Sequence, residues 1–139
     1  MRRGQDPLAV LARLRGIAVM EARRSLAEEA TVRADAEERE RAAGRALRDE
    51  ARHAGAEYAA WLPRGLAERE AAGGELRIAE ARVAEATAAL GDARAAERSV
   101  ERLAELREEE ARRLVQRAEQ RALDEAGARG ARRGDGPER

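Results

Sequence analysis

The stretch that decides the fold is residues 76–118, LRIAEARVAEATAALGDARAAERSVERLAELREEEARRLVQRA. Read from Leu76 at alternating steps of three and four residues, it gives thirteen positions, of which eleven are apolar and two are Glu97 and Arg107. Side chains at this spacing share one face of an α-helix. A 3.5-residue repeat favours a left-handed supercoil with a second helix. The stretch therefore predicts one long helix that packs against another.

A patchier apolar stripe comes before this stretch and runs from Leu11 to Trp61. Asp6 followed by Pro7 is a typical helix start, an N-cap residue and then Pro at the first helical position. The sequence WLPRG at 61–65 interrupts the pattern, because Pro in a helix interior removes a hydrogen bond and clashes with the preceding turn. The sequence therefore predicts a first helix that ends at this interruption.

Together these patterns predict an all-α protein in which two long helices form an antiparallel coiled-coil hairpin over residues 1–126. We expect helix one over about 6–61, the turn at about 62–65 and helix two over about 66–126. Gly73-Gly74 is the alternative position of the turn. Residues 127–139 contain four Gly and one Pro, which predicts a disordered, flexible tail.

The composition excludes most kinds of active site. The 139 residues include 35 Ala and 28 Arg but no Lys, Phe or Cys, and one His. The 21 Leu, Ile and Val residues are too few to fill the core of a β or α/β domain of this length. Thiolate metal sites, disulfides, Schiff-base lysines and His-rich metal sites are all ruled out. We expect no enzymatic activity, no catalytic residue, and no metal or other cofactor.

The charges balance at a formal net charge of zero, with Arg recurring at helical spacing. The recurrent positions are Arg41, Arg45, Arg48 and Arg52, then Arg94, Arg98 and Arg102, then Arg113, Arg117 and Arg121. Like charges at this spacing weaken an isolated helix, so we expect Glu on the neighbouring helix to pair with them. A neutral chain without interleaved aromatics does not favour nucleic acid as a partner. With no export signal and no long uncharged run, we expect a cytoplasmic protein without a membrane span.

Large apolar and aromatic residues cluster at the two ends of the predicted hairpin. One cluster begins at Leu8 and continues to Met20, and Leu114 lies near it if the chain turns at 62–65. These side chains either prevent fraying of the helix ends or insert into an apolar partner. Tyr58 and Trp61 are the only aromatic residues, and both lie beside the predicted turn. They either plug the tip of the hairpin or contact a second partner.

The chain as a whole resembles the FliJ family, the small coiled-coil component of the bacterial flagellar type III export apparatus. The resemblance lies in DPLAVLARLR at 6–15, the break with Tyr58 and Trp61, AEARV at 79–83, VERLAELR at 100–107 and the closing LDEA at 123–126. It implies a hairpin like the central stalk subunit of rotary ATP synthases. The family binds the hexameric export ATPase FliI, promotes its ring assembly, links it to the export gate protein FlhA and helps to recycle export chaperones.

The resemblance also implies two binding regions. The ATPase-binding residues would be Leu8, Leu11, Leu14 and Leu114. The gate-binding residues would be Tyr58, Trp61 and Leu76. The protein would then be cytoplasmic and peripherally associated with the membrane-bound export apparatus. Two alternatives are the YscO-like stalk protein of virulence type III secretion, and a structural coiled coil that dimerises through the same stripes.

Overall fold

The computed structural model describes residues 4, 6–53, 55–134 and 136, and these contain two helices and no strand. Helix α1 is Pro7–Arg52, with 46 residues, and helix α2 is Ala56–Gly134, with 79 residues. Asp6 caps α1 as predicted, since its Oδ1 accepts a hydrogen bond from the Leu8 N–H at 3.1 Å, and Pro7 follows at the first helical position. The predicted all-α class with two long helices in contact is confirmed.

Helix α1 ends at Arg52 and α2 begins at Ala56, so the predicted turn at 62–65 is wrong. His53 closes α1: its N–H donates to the Glu50 carbonyl at 3.0 Å, and its Nδ1–H donates to the Asp49 carbonyl at 2.9 Å. The Gly55 carbonyl opens α2 by accepting from the N–H groups of Tyr58 and Ala59. These bonds satisfy backbone groups that both helix ends would otherwise leave without partners.

Pro63 lies inside α2, as does the alternative turn at Gly73-Gly74. A proline in a helix interior removes only one backbone hydrogen bond, and the helix continues where its neighbours are good helix formers. Ala59, Ala60 and Ala67 supply that propensity around Pro63. The chain therefore tolerates Pro63 within a helix and turns earlier, where His53 and Gly55 satisfy the ends.

The chain divides into two compact units, Met1–Glu97 and Arg98–Arg139. In the first unit α1 and the first part of α2 run antiparallel. Arg39 Nε and Glu75 Oε2 form an ion pair at 3.4 Å, and Glu97 Oε1 lies 3.9 Å from where a Cβ on Gly16 would stand. The residue numbers in these pairs sum to 114 and 113, closer to the 108 of Arg52 and Ala56, which flank the helix break, than to the 127 that a turn centred on 62–65 would give.

The contact between the helices of the first unit is narrow and rich in alanine. Its buried apolar residues are Val19, Ala36, Ala79, Ala86 and Leu90. Ala side chains let two helices approach closely but bury little apolar area for each turn. This hairpin therefore depends on close helix approach more than on large core side chains.

Of the ten arginines expected to pair with Glu on the neighbouring helix, Arg41, Arg45 and Arg102 instead pair within their own helix. Arg41 bonds to Glu37 at 2.7 Å and Arg45 to Glu38 at 2.6 Å. Residues one or two turns apart lie within reach of these long side chains, so the ion pair forms locally. The hydrogen bond and charge of Arg45 hold the pKa of Glu38 below its ordinary value, with a smaller contribution from Arg41.

The second unit contains the part of α2 that begins at Arg98. The helix continues beyond its predicted end at residue 126 as far as Gly134. Ala has the highest helix propensity, and Arg132 and Arg133 in the last turn favour the negative end of the helix dipole. Of the predicted tail, residues 135 and 137–139 lie outside the described residues.

Candidate partner-binding surfaces

An apolar ridge lies on the N-terminal part of α1. Val10, Leu14 and Ile17 are spaced i, i+4, i+7, so they share one face of the helix. Their side chains are 37%, 56% and 45% exposed. Adjacent large apolar side chains left in water are typical of a surface that binds another protein. We call these three residues the N-terminal ridge.

The structure separates the predicted ATPase-binding residues. Leu14 lies on the ridge, whereas Leu8 and Leu11 are half-buried. At 100° per residue, Leu8 comes close to the direction of the buried Val19 and about 120° away from Leu14. Leu114 is exposed and belongs to the second unit. The prediction missed Val10 and Ile17, although their spacing from Leu14 was readable in the sequence.

The two aromatic side chains form a cluster at the start of α2. The rings of Tyr58 and Trp61 are stacked, with centroids 6.4 Å apart and an angle of 29° between their planes. Both side chains are half-buried, and both lie within the first two turns of α2. Tyr58 and Trp61 therefore lie close to a turn, but this turn precedes them in the chain, whereas the predicted turn at 62–65 follows them. A stacked, half-buried Tyr–Trp pair has the properties of a binding anchor.

Leu76, the third predicted gate-binding residue, does not join this cluster. It is half-buried and lies fifteen residues after Trp61 on the same helix. That separation corresponds to roughly 22 Å along the helix axis. A surface built on Tyr58 and Trp61 therefore does not include Leu76.

Gly65 supports the aromatic cluster because it leaves room for the indole ring. Gly65 is buried, and a Cβ built on it would lie 2.7 Å from Trp61 Cζ3 and 2.9 Å from Cζ2. Real Cβ atoms essentially never come this close to another heavy atom. Trp61 therefore covers the bare backbone of Gly65, one turn further along α2.

Replacing Gly65 by Ala is expected to displace Trp61 and shift its fluorescence to longer wavelength, because the indole moves into water. Trp61 is the only tryptophan, so its emission reports this site alone. Gly91→Ala is the matched control, since a Cβ on Gly91 meets no atom within 4 Å. That variant should leave the emission unchanged and gain about 1 kcal/mol of stability. An unshifted emission spectrum in Gly65→Ala would contradict the packing of Trp61 on Gly65.

No ligand chemistry is evident on these surfaces. Within residues 4, 6–53, 55–134 and 136, no cluster of three or more His, Asp or Glu side chains could hold a metal ion. Over the same residues no helix combines the length and the apolar character needed to cross a membrane. The chain matches no protein-family model, and no curated protein or solved structure shows significant similarity to it.

Proposed function

We propose that this chain is a non-enzymatic stalk of a flagellar type III export apparatus, related to the FliJ family, which binds the export ATPase and links it to the export gate. The observation that carries the proposal is the exposed N-terminal ridge on an antiparallel helical hairpin. A stalk needs both features, a stiff paired helix and an apolar surface that a ring can grip. The Tyr58–Trp61 cluster supplies a second surface, as contact with a gate protein would require.

The ridge is large enough to matter for binding. Completing the burial of three half-exposed aliphatic side chains contributes about 3 kcal/mol. This corresponds to roughly a hundredfold in affinity. The ridge would pack into an apolar collar of the ATPase ring, while the Arg and Glu residues around it stay in water. Under this proposal the principal contacts are Val10, Leu14 and Ile17. Leu8 and Leu11 are less exposed in the free protein, so they offer less apolar surface to a partner.

Leu14→Glu is expected to weaken binding to the export ATPase by about a hundredfold, since it removes apolar area and places a carboxylate in the contact. Co-elution and calorimetric titration against the purified ATPase measure the affinity, and ATP hydrolysis measures the stimulation. Helix content should not change, because residue 14 is exposed in the free protein.

Leu66→Glu is the matched control, because Leu66 is also an exposed leucine, at 51% against 56% for Leu14. It should bind and stimulate the ATPase like the unaltered chain. Equal affinities of Leu14→Glu and Leu66→Glu for the ATPase would show that the N-terminal ridge is not the binding surface. If the unaltered chain neither binds nor stimulates an active flagellar ATPase, the flagellar assignment is wrong. The same titration with an injectisome ATPase then tests the YscO-like alternative.

A further inference from the structure

The second unit carries several large apolar side chains that are exposed to solvent. Every described residue from 110 to 134 is exposed. Leu103, Leu106, Leu114, Val115 and Leu123 are between 45% and 67% exposed. Leu103, Leu106 and Leu114 fall within about 80° around the helix axis, and an exposed apolar strip of this kind is typical of a surface that pairs with another chain.

The charge of this helix changes sign at Ala111. Residues 101–110 contain five Glu and two Arg, a net charge of −3, and residues 111–121 contain four Arg and one Glu, a net charge of +3. A second copy running in the opposite direction would place its acidic stretch along the basic stretch of the first, and its basic stretch along the acidic one. A copy running in the same direction would place like charges opposite each other. The charge pattern therefore fits an antiparallel copy of the same helix.

A shallow recess at the centre of this pattern is complementary to itself. It is lined by Leu106, Glu109, Glu110, Arg113, Leu114 and Arg117. In the described part of the chain, none of its four charged side chains forms an ion pair. A two-fold axis near Ala111 would bring the glutamates of one copy to the arginines of the other, with the leucines between them.

We infer that residues 98–134 bind a second copy of this chain as an antiparallel coiled-coil dimer with its two-fold axis near Ala111. The inference goes beyond the proposed stalk function, which requires one copy only. It also differs from the structural coiled coil that would dimerise through the apolar stripes of both helices, because here the hairpin of residues 7–97 stays folded within each copy. Sedimentation equilibrium of the free protein tests it without the ATPase, so this inference and the stalk function can fail independently.

Charge reversal tests the complementarity. Glu109→Arg/Glu110→Arg and Arg113→Glu/Arg117→Glu should each weaken self-association by about tenfold or more, because each places like charges across the two-fold axis. An equimolar mixture of the two variants should regain the dimer, since every reversed charge then meets its opposite. Helix content by circular dichroism serves as the folding control. A monomeric unaltered chain would overturn the inference and leave the surface to a different partner.

Engineered cysteines test the direction of pairing, in a chain that contains no Cys of its own. In the antiparallel dimer, Glu110→Cys lies in the recess, one position from the axis, and should form an intermolecular disulfide on oxidation. Arg117→Cys, in the same recess, should not, because its two copies would lie roughly 18 Å apart along the axis, beyond the reach of a disulfide. Both variants would cross-link in a parallel dimer, and neither would in a monomer. Either of those results would overturn the inference.

Discussion

Replacing Ala36 by Glu is expected to separate the two helices of the first unit. Ala36 is the most buried core residue, at 1% exposure, and lines one recess with Ala79 of α2. The helices approach closely there because both side chains are single methyl groups. A glutamate must either bury its carboxylate or push the helices apart, at a cost of about 3 kcal/mol or more. The midpoint of thermal unfolding should fall by roughly 10 °C.

Ala34→Glu is the matched control for this prediction. Ala34 lies two residues earlier on α1, is exposed, and has the same helix propensity as Ala36. Its replacement should change the melting midpoint little, because Glu is nearly as good a helix former as Ala and stays in water. For Ala36→Glu, the helical signal in circular dichroism should fall only partly, since long Ala-rich helices keep some helicity alone. Its thermal unfolding transition should become broader, because the two helices no longer unfold together. Equal midpoints for the two variants would show that the hairpin contact does not pass through Ala36.

The fold class was readable from the sequence because the apolar stripe from Leu76 to Ala118 repeats for many turns. The turn was not readable, because the strongest local break in the sequence is Pro63, whereas the helices of the structure are separated between Arg52 and Ala56. A proline weakens a helix locally, but the hydrogen bonds of His53 and Gly55 and the packing of Ala36 against α2 decide where the chain reverses. The bonds of His53 and Gly55 are local, but the packing of Ala36 beside Ala79 joins residues 43 positions apart, and local sequence rules do not include such a contact.

The candidate binding surface was predictable only in part. The sequence placed large apolar residues at the start of α1, and the structure divides them into buried and exposed sets. Leu8 and Leu11 fall on the half-buried side, and Val10 and Ile17 on the exposed side with Leu14. This division depends on which face of α1 meets the rest of the protein. The apolar residues at the start of α1 cover too much of the helix circumference to show which face is buried. Only the structure identifies the buried face.

Replacing Pro63 by Ala is expected to raise the free energy of unfolding by about 3 kcal/mol. Pro63 lies inside α2, where it has no N–H to donate to the carbonyl of Ala59, and where its ring crowds the preceding turn. Alanine restores the hydrogen bond and removes the crowding. The melting midpoint should rise by roughly 10 °C, measured by circular dichroism.

Pro7→Ala separates this effect from the general effect of removing a proline. Pro7 occupies the first position of α1, where no N–H bond is lost and the fixed backbone angle of proline already suits the helix. The change at residue 7 should therefore bring no gain in stability, and the midpoint should stay level or fall by up to roughly 3 °C. Prolines also restrict the unfolded chain, which lowers the gain from any Pro→Ala change by up to about 1 kcal/mol. Because this loss is common to both sites, the difference between the two variants isolates the strain within α2. A midpoint for Pro63→Ala no higher than that for Pro7→Ala would mean that α2 does not continue through residue 63 in solution, and that the chain breaks there.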